Sequence, residues 1–588
     1  MRALHTLLRV PAIRLRHATA AAVLAAACLA VLVGAPRQLE RASAQSSAIR
    51  ADVVRLPFPR DDGALTPTTF KRGYPLMTLV YDTLMWRDAS GAPQPWLVRS
   101  LRKSDGGRQI TLRLRDGVRW HDGRPLTASD VAFTFDFFAA RPHPRFTPQL
   151  LDVQQVRAVD PLTVAITLGE PAPGFADQPL ADLPILPRHI WEGLPEDRLA
   201  PSGLPVGSGP YRLVAHEPGR RYRFRANRRY FLGRPRVGRI EVPIVRDFDS
   251  TVRDLENRRI DMIPVSLPQE AVERLEGPAF EFAKGPLYSG TVLMFDTRKP
   301  PFDRVAARRA VARALDLDRI AQALGRESAV AADRGYVAPD SPRATTAPLH
   351  RFDEEAARRA LRRLDLPRIR VLASESDPQR SEVGRQVVLA LERAGAQAEL
   401  VELPRERLGA AVGENGSTPR FEAAIWDTPP LASYGTDYLR VVFGSDPRRA
   451  TLNYSGYRSE SFDGLAARAA RELNPETRPR LVRDELKLLA DDLPVVPLVY
   501  PKAAFAYRPG IYDGWQFVAG SGILDKRSFL PRSGLPANRP LGQARAPTNP
   551  AGGLGPAGYV ALGLLGVTLA LAAAGLAGSA RRRRRRHS

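Results

Sequence analysis

Two long apolar segments, one near each end of the 588-residue chain, most constrain what this protein can fold into. At the N-terminus, four arginines precede an apolar stretch over Ala18–Ala35, and Ala42-Ser43-Ala44 then offers a small-x-small cleavage site before Gln45. This pattern predicts a signal peptide over residues 1–44. A stretch of about 18 apolar residues is also long enough for an uncleaved anchor, and that alternative stays open.

The second apolar segment, Tyr559–Ala580, contains no charged residue and is followed at once by Arg581–Arg586. At about 1.5 Å per residue, this segment is long enough to cross a hydrocarbon core of about 30 Å. Arginines that flank a span stay on the cytoplasmic side. We therefore predict a C-terminal transmembrane helix over 559–580, a basic cytoplasmic tail over 581–588, and an extracytoplasmic body at the cell surface or in the periplasm.

Residues 531–558 join the body to the predicted helix and contain six prolines and six glycines. Such a composition is typical of a linker, which extends by about 3.1 Å per residue where proline dominates. The body itself would then occupy about residues 51–530.

The formal net charge of +24 suggests a nucleic-acid partner until it is divided by segment. Residues 1–44 contribute +5 and the final arginine run +6, which leaves +13 for residues 45–580. The basic residues of the body are spread along the chain and form no dense stripe interleaved with aromatic residues. We therefore expect no nucleic-acid partner.

The residues that usually carry catalysis or bind metal ions show no recognisable arrangement. Cys28 is the only cysteine, which excludes an intramolecular disulfide framework and a cysteine metal cluster. The eight histidines lack metal-ligand spacing, and neither a GxSxG elbow nor a GxxxxGK[ST] loop occurs. We expect no enzyme activity, no cofactor and no metal site, and we interpret His121, beside Asp122, as structural.

The body alternates strand-like and helix-like segments, which indicates a mixed α/β fold. Ile110–Leu114 and Val118–Trp120 predict two short strands, with Asp-Gly turns at 116–117 and 122–123. Thr127 and Asp130 form a capping pair for a following helix. Further along, the pattern predicts strands around 222–224 and over 240–245, and an amphipathic helix around 250–257.

Several of these segments resemble the signature of family 5 extracellular solute-binding proteins, the peptide, dipeptide and nickel receptors of ABC importers. The most specific block joins Trp96–Ser100 to Thr111–Val131. Other segments recur in the family's order: Gly207–Tyr211, Asn227–Phe231, Ile260–Met262, Phe295–Asp303 and Arg308–Asp316. The resemblance covers about residues 51–520.

This resemblance implies the large, three-domain type of periplasmic-binding-protein fold, in which two lobes close over a ligand by a hinge motion. Taken in the family's order, lobe I comprises about residues 51–85, 205–286 and 499–530, an inserted subdomain about 86–204, and lobe II about 287–498. The implied function is that of a receptor, which binds a peptide-like solute and delivers it to an ABC permease and ATPase complex. A membrane-anchored sensor or interaction protein without transport coupling is the alternative, because a C-terminal span is unusual in this family.

The resemblance also indicates where a ligand amine would bind. The family's peptide receptors place an ammonium-binding aspartate in a segment that resembles W-x-x-D-Y-P-D-P-x-N-F-L. The corresponding stretch, from Trp426 to Leu439, lacks the D-P pair and has Tyr434 at the acidic position. An amine-binding carboxylate then has to come from Asp427 or Asp437, and Asp437 fits a helix N-cap equally well. Our candidate ligand-binding residues are therefore Trp426, Asp427, Tyr434 and Asp437.

Overall fold

The computed structural model describes residues 50–535, except 71–72, 326–327, 340, 342–343, 345–347, 349 and 429–437. The predicted signal peptide, most of the predicted linker, the predicted transmembrane helix and the basic tail therefore lie outside the described residues. Within the described part, no helix is long and apolar enough to cross a membrane.

The described residues form three main sheets and one short ribbon. The strands are, in chain order, β1 (Ala51–Arg55), β2 (Met85–Arg87), β3 (Pro93–Pro95), β4 (Val98–Ser104), β5 (Gln109–Leu114), β6 (Val153–Asp160), β7 (Thr163–Leu168), β8 (Tyr211–Glu217), β9 (Arg221–Ala226), β10 (Val237–Pro243), β11 (Glu281–Pro286), β12 (Thr291–Phe295), β13 (Ala329–Ala331), β14 (Ile369–Ser374), β15 (Ala398–Leu403), β16 (Ala423–Asp427) and β17 (Val495–Tyr507).

The helices cover the faces and edges of these sheets. They are α1 (Tyr74–Val80), α2 (Ala128–Ala140), α3 (Arg188–Trp191), α4 (Phe248–Glu256), α5 (Gln269–Arg274), α6 (Val305–Arg313), α7 (Leu317–Ala323), α8 (Glu354–Leu364), α9 (Pro378–Arg393), α10 (Arg405–Val412), α11 (Tyr438–Phe443), α12 (Glu460–Arg471) and α13 (Arg478–Asp492).

Sheet A has the strand order β1-β10-β9-β8, and the antiparallel sheet B has the order β4-β5-β7-β6. Sheet C follows the order β11-β17-β12-β16-β14-β15, with β13 paired to β17. Strand β14 runs parallel to both of its neighbours, β15 and β16. The mixed α/β content expected from the sequence is therefore confirmed.

The apolar side chains divide into separate cores. Sheets A and B share one core, to which Leu112 and Ile240 both belong. Sheet C has a core on each face, because side chains alternate along a strand: Ile425 of β16 points into one core, while Trp426 points into the other. Sheet C and its helices thus form a core region of their own.

Strand β17 belongs to both core regions. Its first half pairs with β12 and places Leu498 in a core of sheet C, whereas its second half pairs with β11 and places Phe505 in the core of sheets A and B. The connection from β11 to β12, residues 287–290, runs alongside. At this point a Cβ on Gly290 would lie 2.9 Å from the ring of Tyr500, so the two chain passages pack without room for a larger residue.

Several elements that local sequence patterns predict are present in the structure. The Thr127–Asp130 capping pair starts α2, and the Thr127 backbone N–H donates to the Asp130 carboxylate at 2.8 Å. Strand β5 and helix α4 also form where the sequence predicted them. The prediction of a second strand over Val118–Trp120 is wrong. The chain turns again at 122–123, and only the isolated bridge between Arg119 and Pro125 forms.

A buried carboxylate, Asp82, joins segments that lie far apart in the sequence. Its Oδ1 accepts hydrogen bonds from the indole of Trp96 at 2.9 Å, from the hydroxyl of Tyr230 at 2.9 Å and from the ammonium of Lys526 at 2.9 Å. Its Oδ2 accepts from the Ser208 hydroxyl at 3.0 Å. Asp82 and Lys526 are both fully buried, so neither charge has water to stabilise it.

The Lys526 ammonium is further stabilised by aromatic rings. It lies 4.0 Å from the ring centre of Trp86 and 4.9 Å from that of Trp96, which is cation–π geometry. Burial lowers the pKa of Lys526, while the carboxylate of Asp82 acts in the opposite direction. Lys526 thereby joins the C-terminal part of the described chain to the segment around residues 82–96.

The glycine-rich segment 207–211 packs directly beside this network. A Cβ on Gly209 would lie 2.4 Å from the carbonyl oxygen of Leu79, so only glycine fits there. The Nε2 of His121 donates to the Gly209 carbonyl at 3.0 Å, and its Nδ1 accepts from the Gly207 N–H at 3.2 Å. Asp122 pairs instead with His189 at 2.6 Å. His121 thus connects two backbone segments, as its structural interpretation requires.

We predict that Asp82→Asn destabilises the protein by about 3 to 5 kcal/mol, because it leaves the buried ammonium of Lys526 without its contacting carboxylate. Denaturant unfolding of the purified protein measures the loss. Adding Lys526→Met to Asp82→Asn should recover part of the stability. The matched control is Asp160→Asn, which breaks the exposed ion pair with Arg113 and should cost much less. Equal losses in Asp82→Asn and Asp160→Asn would contradict the importance of the network.

We also predict that the protein loses stability as the pH falls from about 6.5 to 4. Burial lowers the pKa of His121 to about 4, so the unfolded chain binds the proton more readily than the folded chain over this interval. The contribution of His121 is up to about 3 kcal/mol. In His121→Gln, which keeps a donor and an acceptor, unfolding free energies measured across this interval should vary less with pH. An unchanged slope would exclude His121 as the cause.

Candidate functional site

Strand order in sheet C creates a crevice at the carboxyl ends of its parallel strands. The chain runs from β14 to β15 on one side and then returns to β16 on the other side of β14. Helix α9 packs in one core of the sheet and helix α10 in the core on the opposite face. Ligands in open α/β sheets bind outside such a topological switch point, because the helices diverge there and leave room.

Three charged side chains lie where these strands end. Arg380 is near the start of α9, which follows β14; Arg405 begins α10, which follows β15; and Asp427 ends β16. The Arg380 guanidinium contacts the Asp427 carboxylate at 2.6 Å and also the Asp377 carboxylate at 3.1 Å. The predicted site residue Asp427 therefore has a cationic partner, and its side chain remains 41% exposed.

A cavity of about 260 Å³ opens at this end of the sheet. Its charged lining consists of one arginine and two carboxylates, Arg405, Glu414 and Asp427, with a net charge of −1. The remaining lining is mostly apolar and aromatic, and comprises Ser289, Val292, Met294, Trp426, Thr428, Val442, Phe443, Leu452, Tyr454, Ser455 and Val495. The cavity therefore offers apolar walls and a few polar groups, which is the usual composition of a small-ligand site.

Arg405 is held rigidly between a carboxylate and an aromatic ring. Its two terminal nitrogens donate to the two oxygens of Glu414, both at 2.8 Å, and its guanidinium lies 4.6 Å from the ring centre of Trp426. Burial tends to lower the pKa of Arg405, but the hydrogen bonds to Glu414 and the charge of Asp427 raise it overall. The site thus contains a cation that is paired with one carboxylate, Glu414, and stacked on one aromatic ring, Trp426.

Two aromatic residues, Trp426 and Tyr454, form a corner of the cavity. Their rings meet edge to face, with centres 5.8 Å apart. Burial, reinforced by the negative charge of Glu414, raises the pKa of Tyr454 to about 12, so its hydroxyl stays protonated at physiological pH. The predicted site residue Trp426 lines the cavity and is at the same time largely buried in a core of sheet C.

The other two predicted site residues, Tyr434 and Asp437, lie outside the described residues. Of the four candidates, the structure therefore brings Trp426 and Asp427 together in one cavity. The sequence analysis missed Arg405, Glu414 and Tyr454. Arg405 follows a strand directly, but only the order of the strands in the sheet shows that this strand ends beside β16.

Two ion pairs join the two core regions, and one of them lies next to the cavity residue Arg405. Glu406, the neighbour of Arg405 on α10, contacts Arg60 at 3.7 Å. Arg449 donates from both terminal nitrogens to Asp152, at 2.7 and 3.0 Å, and so joins the region of sheet C to the region of sheet B. Within the described residues, no group of three or more His, Cys, Asp or Glu side chains is placed to hold a metal ion.

Comparison with known proteins identifies what this architecture is similar to. The chain is 26% identical over 262 residues to the dipeptide-binding protein of Escherichia coli strain K12, covering 40% of this chain and 48% of that protein. It spans about half the length of the curated relatives that it matches.

Solved structures show the same fold. The substrate-binding protein CtaP from Listeria monocytogenes, an ABC transporter protein, superposes with a TM-score of 0.72 at 22% identity, over 82% of this chain and 99% of that one. The periplasmic binding protein DppA from Helicobacter pylori, in complex with the peptide STSA, superposes with a TM-score of 0.70 at 19% identity, over 83% of this chain and 99% of that one.

The match to a family model decides the classification. The model for the bacterial extracellular solute-binding proteins, family 5 Middle, matches residues 92–442, which is more than half of the chain. The matched region includes strand β5 and its flanking turns as well as the cavity residues Arg405, Glu414 and Trp426. The family and the periplasmic-binding-protein fold expected from the sequence are therefore confirmed. The chain belongs to the bacterial extracellular solute-binding proteins of family 5.

Proposed function

We propose that the protein is an extracytoplasmic receptor that binds a peptide-like solute and delivers it to the permease and ATPase of an ABC transporter. The observation that carries this proposal is the cavity at the switch point of sheet C, with its doubly hydrogen-bonded Arg405–Glu414 pair and aromatic corner. The peptide-binding relatives named above support the ligand class.

The charged side chains of the cavity suit a zwitterionic ligand. Asp427 and Glu414 each pair with an arginine, Arg380 and Arg405 respectively. A ligand ammonium would take the place of an arginine beside a carboxylate, while a ligand carboxylate would bind the arginine so released. Such an exchange keeps every charge paired, which matters because an unpaired charge is costly in a partly buried site.

The uncharged lining of the cavity would then accept ligands with different side chains. Trp426 and Tyr454 provide flat apolar surface, and the apolar lining offers no further charge. Tyr434 and Asp437 remain candidate ligand residues on the strength of the family resemblance, with Asp437 as an alternative amine partner to Asp427.

Closure of the site would occur as a rotation of the two core regions about the paired chain passages, 287–290 and the middle of β17. This proposal rests on the sharing of β17 between both core regions. The ion pairs Arg60–Glu406 and Arg449–Asp152 would then hold the regions together when a ligand is enclosed. A ligand shifts such an equilibrium only if it binds the closed state more tightly than the open one.

We further propose that the apolar segment 559–580 anchors the receptor in the cell membrane, with its body outside and residues 581–588 in the cytoplasm. The charge-free length of this segment and the arginines that follow it support the proposal. The described body ends with Leu535, which packs against the aromatic cluster of Trp86, Trp96 and Tyr230. Truncation after residue 535 therefore removes the proposed anchor and leaves that contact intact.

We predict that Asp427→Asn weakens the binding of short peptides with a free amino terminus by roughly ten- to 150-fold. The expected loss is that of a charged hydrogen bond at a half-exposed site, about 1.5 to 3 kcal/mol. Peptides that stabilise the parent against heat are first selected by thermal shift, and affinities are then measured by calorimetry. N-acetylated peptides should bind the parent and the variant equally weakly.

The matched control for this prediction is Glu382→Gln. Glu382 lies on α9 like Arg380, but it pairs with Arg385 and Gln386 away from the cavity. This variant removes the same charge and should bind peptides as the parent does. Glu414→Gln and Asp437→Asn test the other two carboxylates. If Asp427→Asn, Glu414→Gln and Asp437→Asn all bind with parental affinity, the ligand has no ammonium recognised by these groups.

We predict that the full chain sediments with membranes and resists extraction by high salt, whereas the chain truncated after residue 535 is recovered in the soluble fraction. Hydrophobic insertion is insensitive to salt, while electrostatic adsorption is screened. Fractionation followed by immunodetection measures the difference. Release of the full chain by salt, or membrane retention of the truncated chain after signal cleavage, would overturn the proposed anchor.

A further inference from the structure

A cluster of arginines covers the exposed face of sheet A. Arg212 of β8 lies directly opposite Arg225 of β9, which in turn lies opposite Arg239 of β10. All three side chains are exposed. The strand register thus aligns three guanidinium groups in one row across three neighbouring strands.

The connection between β9 and β10 places three more exposed arginines beside this row: Arg228, Arg229 and Arg234. The six arginines line a surface concavity of about 740 Å³, in which Asp52 is the single acidic residue. We refer to these six residues as the arginine cluster. Its net charge, with Asp52 included, is +5.

The arginine cluster has no internal charge partner. Among the described residues, no carboxylate lies within 4.0 Å of any of the six guanidinium groups. Arginines elsewhere on the same sheet are paired: Arg221 and Arg223, also on β9, both contact Glu217, at 2.9 and 2.7 Å. A general abundance of arginine therefore does not explain why these six lack partners.

Aligning like charges has an energetic cost. Like charges directly opposite each other on neighbouring strands destabilise a sheet. Guanidinium groups match the oxygens of phosphate in a two-pronged geometry, and several of them around one concavity can neutralise a multiply charged anion. A bound polyanion would remove the repulsion that the empty cluster experiences.

The position of the cluster in the chain favours one source of phosphate. At the end of the described chain, Pro531 packs against Gly233, where a Cβ would lie 2.8 Å from the proline ring, and Arg236 donates its N–H to the Phe529 carbonyl at 2.8 Å. The segment that leads to the proposed membrane anchor therefore passes beside the loop that carries Arg234.

We propose that the arginine cluster binds phosphate groups, and that these belong to the anionic headgroups of the membrane that anchors the chain. The choice of lipid rests on the anchor proposed above, whereas phosphate binding itself does not. The interaction would orient the receptor with sheet A towards the bilayer. Free polyphosphate shares the same chemistry, and the experiment separates the two sources.

The experiment uses the full chain in two settings. In neutral detergent, calorimetry measures binding of inorganic tripolyphosphate. In nanodiscs, hydrogen exchange over residues 210–240 is compared between neutral phosphatidylcholine and a mixture with phosphatidylglycerol. The variant Arg212→Gln/Arg225→Gln/Arg239→Gln removes the row, and Arg223→Gln, which removes a paired arginine of the same sheet, is the matched control.

We expect the parent and Arg223→Gln to bind tripolyphosphate in a salt-sensitive manner and to show slower exchange in anionic nanodiscs. The triple variant should bind roughly a hundredfold more weakly and lose the protection. Its melting temperature should equal or exceed that of the parent, because repulsion within the row is relieved; this result excludes misfolding as the cause.

Each remaining outcome decides a separate point. Tripolyphosphate binding without protection in anionic nanodiscs would support phosphate recognition and overturn the lipid source. Failure of the full chain to enter nanodiscs would overturn the proposed anchor, while the tripolyphosphate measurement would still test the cluster. Equal behaviour of the triple variant and the parent in both settings would overturn the proposal.

Discussion

The core region of sheets A and B depends on the hydrogen bonds and the ion pair that the buried carboxylate of Asp82 makes. It satisfies donors from Trp96, Ser208, Tyr230 and Lys526, which come from four separate parts of the chain. Removing any one partner leaves buried polar groups unsatisfied, so the network stabilises only as a whole. Its geometry also explains the glycine-rich segment beside it, since the backbone there has to approach α1 more closely than a Cβ permits.

The elements that could be predicted from the sequence are those decided by neighbouring residues. The capping of α2 by Thr127 and Asp130 and the alternating pattern of β5 are local, and both appear as expected. The fold followed from the resemblance of whole blocks to a family. The lysine at 526 could not be foreseen as a core residue, because its carboxylate and its aromatic partners lie more than four hundred residues earlier in the chain.

The residues of the candidate site likewise divide into those that the sequence predicted and those that only the fold reveals. Trp426 and Asp427 were identified through a family segment and do line a cavity, whereas Arg405 and Glu414 were missed. Their participation follows from the order of parallel strands in sheet C, which no local pattern encodes. The arginine cluster illustrates the same point: five of its six members lie within residues 225–239, but only the register of β8, β9 and β10 shows that Arg212 joins Arg225 and Arg239 in one row.

The passage of β17 between the two core regions has a mechanical consequence. After β17 the chain remains with the core of sheets A and B, and its described end is fixed there by Lys526 and Leu535. Tension applied through the residues beyond 535 would therefore act first on that core, and would reach the region of sheet C only through 287–290, β17 and the ion pairs that join the two regions. Anchored as proposed, the molecule could be pulled or tilted with little strain on its candidate cavity.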